Sequence, residues 1–135
     1  MPKRTMALFG EAEKGEFRHA HLLESLPQLV DLLGQPPAMS QGLHIAVQAL
    51  MYQRTLLFFR VREEGYSVQD YYCGLKILKE RQQFHELAAL CMPGVGDEGI
   101  IKACSALCLI HHSILITNEQ DLYDYLTQQP RQLKS

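Results

Sequence analysis

Thr55-Leu56-Leu57-Phe58-Phe59-Arg60-Val61, then Arg62-Glu63-Glu64-Gly65, then Ser67-Val68-Gln69-Asp70, is the stretch that decides the fold. Its first part is nearly continuously apolar, the pattern of a parallel strand buried on both faces. Glu63-Glu64-Gly65 turns the chain, and Ser67 with Asp70 forms a capping box that opens a helix to about Glu80. Glu86 to Met92 then reads as another strand, broken at Pro93-Gly94-Val95-Gly96. Strand, helix and strand in that order predict a parallel pair joined by a crossover.

Working outward, the same alternation continues in both directions. Toward the N-terminus, Arg4 to Phe9 reads as a strand and Gly10-Glu-Ala-Glu-Lys-Gly15 as a loop. Phe17 to Leu23 is ambiguous and fits a short extended piece. Ser25 with Gln28 marks a helix start, Leu26, Leu29, Val30 and Leu33 form its stripe, and Gly34 stops it. After Gln35-Pro36-Pro37, Ser40 can cap a second helix carrying Leu43, Ala46, Val47, Leu50 and Met51 at helical spacing. Toward the C-terminus, Asp97 caps a helix through Ile100, Cys104, Leu107 and Cys108. Ser113 to Thr117 is a strand, and Asn118 caps a last helix with Leu122, Tyr123, Tyr125 and Leu126. The expected fold class is α/β: a single three-layer domain, with a mostly parallel sheet of about four strands and helices on both faces. It spans residues 1–129, followed by a polar tail at 130–135. The chain's 135 residues suffice for a core without disulfide or metal staples.

Thirteen Lys and Arg face fifteen Asp and Glu, for a net charge of −2, and the two signs are interleaved. Nucleic-acid binding relies on clustered positive charge, so none is expected here. No apolar run approaches the ~20 residues that span a bilayer, and the first residues carry no signal-like apolar stretch. A cytoplasmic protein without membrane attachment is therefore expected. Cys73, Cys91, Cys104 and Cys108 lie in apolar segments without a C-x-x-C, and read as reduced core thiols.

Two loops are candidate ligand sites. Gly10, Lys14 and Gly15 follow a strand, where α/β proteins bind phosphate, but Glu16-Phe17 stands where the Walker pattern needs Lys and Ser or Thr. Gly94, Gly96 and Asp97 open the helix after a later strand, and their glycines permit close backbone approach. Cys104, Cys108, His111 and His112 form the sharpest metal constellation, because i, i+4 and i+7 or i+8 share a helix face. Core thiols beside helix-end histidines account for the same spacing, with His⁺ favoured at a helix C-terminus. His19 and His21 alternate and would face one side of an extended segment; the acidic Glu119, Asp121 and Asp124 suit a first helical turn. Tyr71, Tyr72, Tyr123 and Tyr125 read as core or interface residues. No residue is assigned as catalytic, and no cofactor is expected.

Taken together, several segments resemble the α/β core of contractile tail sheath proteins of phages and related injection machines. Thr5-Met-Ala-Leu-Phe-Gly-Glu-Ala-Glu-Lys-Gly15 is similar to their early strand and G-x-x-x-x-G entry. Leu23-Glu-Ser-Leu-Pro-Gln-Leu-Val-Asp-Leu-Leu-Gly34 is similar to a short Ser-led helix ending at Gly, and Leu43 to Val61 to a helix followed by a strand ending Phe59-Arg60-Val61. Gly74-Leu75 to Leu78 and Leu87 to Pro93-Gly94 continue the series. The likeness covers about Thr5 to Leu126, the family's α/β core, and its further C-terminal domain is not expected here. It implies a non-enzymatic structural protein that associates with itself, as a homo-oligomer, or with a phage-tail-like protein assembly. The alternative is a small α/β ligand-binding or regulatory domain using the two glycine loops, since open parallel sheets bind ligands at strand carboxyl ends. An enzyme built on the His/Cys cluster is the third reading.

Overall fold

A computed structural model describes residues 5–80 and 87–127. Among them ten elements follow one another: β1 (Thr5–Gly10), β2 (Ala20–Leu23), α1 (Leu26–Leu33), α2 (Gly42–Met51), β3 (Thr55–Arg60), α3 (Val68–Glu80), β4 (Leu87–Cys91), α4 (Glu98–His111), β5 (Ile114–Ile116) and α5 (Glu119–Thr127). The fold is α/β, with five strands in the order β2-β3-β1-β4-β5. β1 pairs in parallel with both β3 and β4, and β4 pairs in parallel with β5. The ambiguous segment Phe17 to Leu23 supplies the strand beyond the expected four. Its residues 20–23 form β2, antiparallel to β3 with Ala20 opposite Phe59 and Leu23 opposite Leu56.

The strands read as they do because alternate residues enter different cores. On β1, Met6 and Leu8 join a cluster with Leu29 and Leu33 of α1, Leu43 and Ala46 of α2, and Leu122 and Leu126 of α5. Ala7 and Phe9 join another with Tyr71 and Leu75 of α3 and Ile100, Cys104 and Leu107 of α4. β1 is thus apolar from Met6 to Phe9 because both of its faces meet helices. Phe9 stacks on Phe59 at 4.6 Å between ring centroids and on Tyr71 at 5.5 Å. Gly74 lets α3 approach this stack, since a Cβ there would strike the Phe9 ring.

Local signals set most helix ends. Ser25 accepts from Gln28 N–H at 3.4 Å, while Gln28 Oε1 accepts from Glu24 N–H at 2.6 Å. Gly34 closes α1 at φ 78°, and His112 closes α4 in the left-handed region at φ 57°. Asp97 caps α4 through Ile100 N–H at 3.0 Å, and Asn118 caps α5 through Asp121 N–H at 2.8 Å. The expected Ser40 cap is corrected: Gln41 occupies the N-cap of α2 without a side-chain cap bond, and Ser40 has another partner. Arg4, Glu86 and the tail at 130–135 lie outside the described residues. Among the described residues no helix is long and apolar enough to cross a membrane.

Candidate functional site

β1 lies between β3 and β4, so the chain leaves it in one direction and returns past it in the other. At such a reversal the crevice outside the strand carboxyl ends is the general ligand position of open α/β sheets. Here Glu64, in the segment after β3, gathers the segment after β1 and the start of α2, while Gly94 after β4 meets the adjacent Gly65. Glu64 Oε2 accepts from Glu11 N–H, Gly42 N–H and the Ser40 hydroxyl, each at 2.8 Å, and Oε1 accepts from Gln41 N–H at 2.9 Å. Glu11 replies in kind, its Oε2 accepting from Glu64 N–H at 2.9 Å. A carboxylate with four donors at the first turn of α2 satisfies orphan helix N–H groups and complements the dipole. Hydrogen bonds to an ionised acceptor are the strong kind.

Two glycine pairs let the backbones meet. A Cβ on Gly10 would lie 2.7 Å from Gly42 Cα, and one on Gly42 would lie 2.7 Å from Gly10 Cα. On the other flank, a Cβ on Gly65 would lie 2.5 Å from the Gly94 carbonyl oxygen, and Gly65 already holds φ 89°. Gly65 N–H donates to the buried Tyr71 hydroxyl at 2.6 Å. Burial pushes that phenol's pKa well up, so it stays protonated.

The sequence-predicted loop residues therefore have structural duties. Gly10 makes the contact with α2. Lys14 N–H, with Glu13 N–H, donates to Leu33 O at 3.1 and 3.0 Å, and the Gly15 carbonyl accepts from Arg60 Nη1 at 2.6 Å. Gly94 abuts Gly65, and Asp97 caps α4; Gly96 faces open space. The structure brings Gly10 and Gly94 toward the same segment, 62–66, but not Lys14, Gly96 and Asp97 into one pocket. Glu64, Ser40 and Gly42, which complete the arrangement, have no local signature: Glu64 reads as a turn residue and Ser40 as a cap.

Asp70 anchors a second cluster. Its carboxylate accepts from Arg62 N–H at 2.9 Å, Arg62 Nη1 at 2.8 Å and Arg18 Nε at 3.2 Å, while both guanidiniums remain half exposed. Burial alone would raise this carboxyl's pKa. The Arg62 backbone bond, the Arg18 bond, the Arg62 charge and Ser67 together outweigh it and hold the pKa below the usual aspartate value. The capping box expected of Ser67 and Asp70 is corrected: Ser67 Oγ accepts from Glu63 N–H at 3.1 Å, Asp70 N–H donates to the Ser67 carbonyl at 2.9 Å, and the Asp70 carboxylate serves the arginines. Phe17 lies beneath the guanidiniums of Arg60 and Arg62, at 4.2 and 4.6 Å from its centroid, and so ties the 11–19 segment to the end of β3.

The cysteine and histidine constellation is not assembled into a metal site. Among the described residues no group of three or more His, Cys, Asp or Glu could hold a metal ion. Cys104 points its thiol at Met92 Sδ, 3.1 Å away, and His111 Nδ1 accepts from Leu87 N–H at 3.5 Å. His112 is the exposed left-handed residue that ends α4. Burial pushes the Cys104 thiol up to about 12 and the Cys108 thiol up to about 11, so neither is a thiolate at neutral pH. All four cysteines are free thiols. His19 and His21 do face one another, 5.5 Å apart, beside Glu16. A cleft of about 320 Å³ between α2 and α5 is lined by Gln41, His44, Gln48, Glu119 and Tyr123.

The sheet's lateral edges have a different character. Among the described residues β2 has only β3 as neighbour and β5 only β4. Neither β2 (Ala-His-Leu-Leu) nor β5 (Ile-Leu-Ile) contains Lys, Arg, Asp, Glu or Pro, the residues that usually blunt an exposed edge. Leu22 on β2 is 55% exposed, with Leu26 and Val30 of α1 exposed nearby in sequence; Ile114 on β5 is 46% exposed, with Leu109 and Ile110 of α4 also exposed. No family model, curated protein or solved structure matches the chain.

Proposed function

We propose that this chain is a non-enzymatic structural protein, a three-layer α/β domain of the tail-sheath-like kind, which self-associates or joins a protein assembly. The observation that carries the reading is the pair of short edge strands without a charged residue or proline, each accompanied by exposed apolar side chains. A strand edge offers a row of backbone donors and acceptors to another strand, and proteins that stay monomeric generally protect it. The carboxyl-end crevice favours the same reading over a ligand in the glycine loops. Its donors at Glu11, Ser40, Gln41 and Gly42 already serve the chain's own Glu64.

The alternative, a small-ligand-binding or regulatory domain, finds space in the cleft between α2 and α5. Light scattering on a size-exclusion column, with negative-stain microscopy of the same fractions, tests the assembly reading. Concentration-dependent multimers, rings or tubes are expected. A monomer at high concentration would overturn it, and a ligand-induced rise in Tm would then favour the alternative.

A further inference from the structure

The core and the rim leave one pair of metal-ligating side chains unused, His19 and His21. The segment that carries them is fixed from several sides. Glu13 and Lys14 N–H donate to Leu33 O, and the Gly15 carbonyl accepts from Arg60. Phe17 bridges to Arg60 and lies under two guanidiniums, and Arg18 turns the chain at φ 58° with its guanidinium on Asp70. His21 then enters β2 opposite Phe58. The two imidazoles end up 5.5 Å apart between ring centroids, tilted by 49°.

Glu16 addresses both rings. Its carbonyl oxygen lies 3.0 Å from His21 Nε2, and its carboxylate oxygen 3.4 Å from His19 Nδ1. Both oxygens only accept, so those nitrogens carry the protons, and in the neutral rings His21 Nδ1 and His19 Nε2 hold the lone pairs. Among the described residues neither lone-pair nitrogen has a partner. An imidazole whose other N–H is held by a carbonyl or a carboxylate is the usual form of a metal-binding histidine, because that bond fixes the tautomer and raises the basicity of the ligating nitrogen. The spacing agrees. An ion at the ~2.0–2.1 Å of a zinc–imidazole bond sits roughly 3 Å from each ring centre, which puts two rings sharing it about 5 Å apart.

We propose that His21 through Nδ1 and His19 through Nε2 chelate one divalent transition-metal ion, with Glu16 orienting both rings. The His19 side chain is 59% exposed and its partner, the Glu16 carboxylate, 78%, so the ring can turn its Nε2 onto an ion that His21 holds. Glu16 orients and does not ligate, in keeping with the lack of any three-residue group among the described residues. Two protein ligands leave the other positions to water, which makes this an open surface site. Imidazole ligands select Zn²⁺ and its neighbours over Mg²⁺ and Ca²⁺.

Isothermal titration of the full chain with zinc chloride and magnesium chloride tests this, alongside long-range ¹H–¹⁵N spectra of the histidine rings. A Cys73→Ser background removes the partly exposed thiol as a competitor. Zn²⁺ is expected to bind at one equivalent and Mg²⁺ not at all. Zn²⁺ should shift His21 Nδ1 and His19 Nε2, and His19→Ala and His21→Ala should each weaken binding by about tenfold or more with circular dichroism unchanged. Absence of both zinc heat and ring shifts would overturn the site. So would shifts confined to other histidines, or undiminished affinity in either alanine variant. Should a variant fail to fold, the ring shifts of the chain with both histidines decide alone.

Discussion

The carboxyl rim of the sheet and its lateral edges solve the same problem in opposite ways. Both present backbone N–H and C=O groups that no strand ladder satisfies. At the rim, Glu64 and Glu11 fold back and take those donors themselves, with Gly10 against Gly42 and Gly65 against Gly94 sealing the approach. At the edges, β2 and β5 carry Ala, Leu, Ile and one His, with no Lys, Arg, Asp or Glu. The rim is closed by the chain's own side chains, whereas the edges lack the features that would deter a partner. The polar groups at the rim brace the chain internally, and under the assembly proposal the uncharged edge strands are the surface offered to a partner.

This contrast predicts that rim substitutions change stability and edge substitutions change association. The largest effect is expected for Glu64→Ala, which strips the acceptor from Glu11, Ser40, Gln41 and Gly42 at once. Unsatisfied donors cost about 1–3 kcal/mol each when buried, and these are partly exposed, so a total of about 3 kcal/mol in urea unfolding is expected. A loss below about 1 kcal/mol would show that water replaces Glu64 and that the rim is not braced by it.

Asp70→Asn should cost about 2 kcal/mol at neutral pH, as bonds to a charged acceptor become neutral ones. The sign of its pH dependence follows from the lowered folded pKa. Asp70's contribution is fully present above the unfolded aspartate value of about 3.9 and is lost as pH falls through the lower folded value. Acid unfolding of Asp70→Asn should consequently show a shallower stability loss below about pH 4 than wild type. Equal slopes would remove Asp70 from the acid response. Phe17→Ala, which removes the ring under Arg60 and Arg62, should cost about 1 kcal/mol, and more rapid amide exchange in residues 11–19 is the accompanying signature.

The smallest stability changes belong to the edges. Leu22→Lys and Ile114→Lys should each stay within about 0.5 kcal/mol of wild type, because both side chains are about half exposed already. Their light-scattering mass should nevertheless fall. If Leu22→Lys unfolds the protein as readily as Glu64→Ala does, the edge is part of the core and the contrast fails.

The features legible in the sequence were those written within a few residues. Thr55 to Val61 and Met6 to Phe9 announce buried strands through continuous apolar character, and Ser25, Asp97 and Asn118 announce helix starts through cap chemistry. Phe17 to Leu23 was harder to assign because an edge strand has one neighbour, and four residues hold too little pattern to separate strand from loop. Ser40 misled for a related reason: its capping partner was to be three residues away, yet its hydroxyl donates to a carboxylate 24 residues on. The cysteine and histidine spacing likewise puts Cys104, Cys108 and His111 on one helix face, but that face is turned into the core and His112 leaves the helix.

Local chemistry by itself determined the α/β class, the order of most elements and the caps at Ser25, Asp97 and Asn118, because periodicity and capping act over single turns. Only the tertiary structure decided that Glu64 braces the rim, that Asp70 holds two arginines, and that β2 and β5 are the edges. Those outcomes depend on which strands become neighbours, and neighbours here are set by packing both faces of β1 between helices distant in sequence.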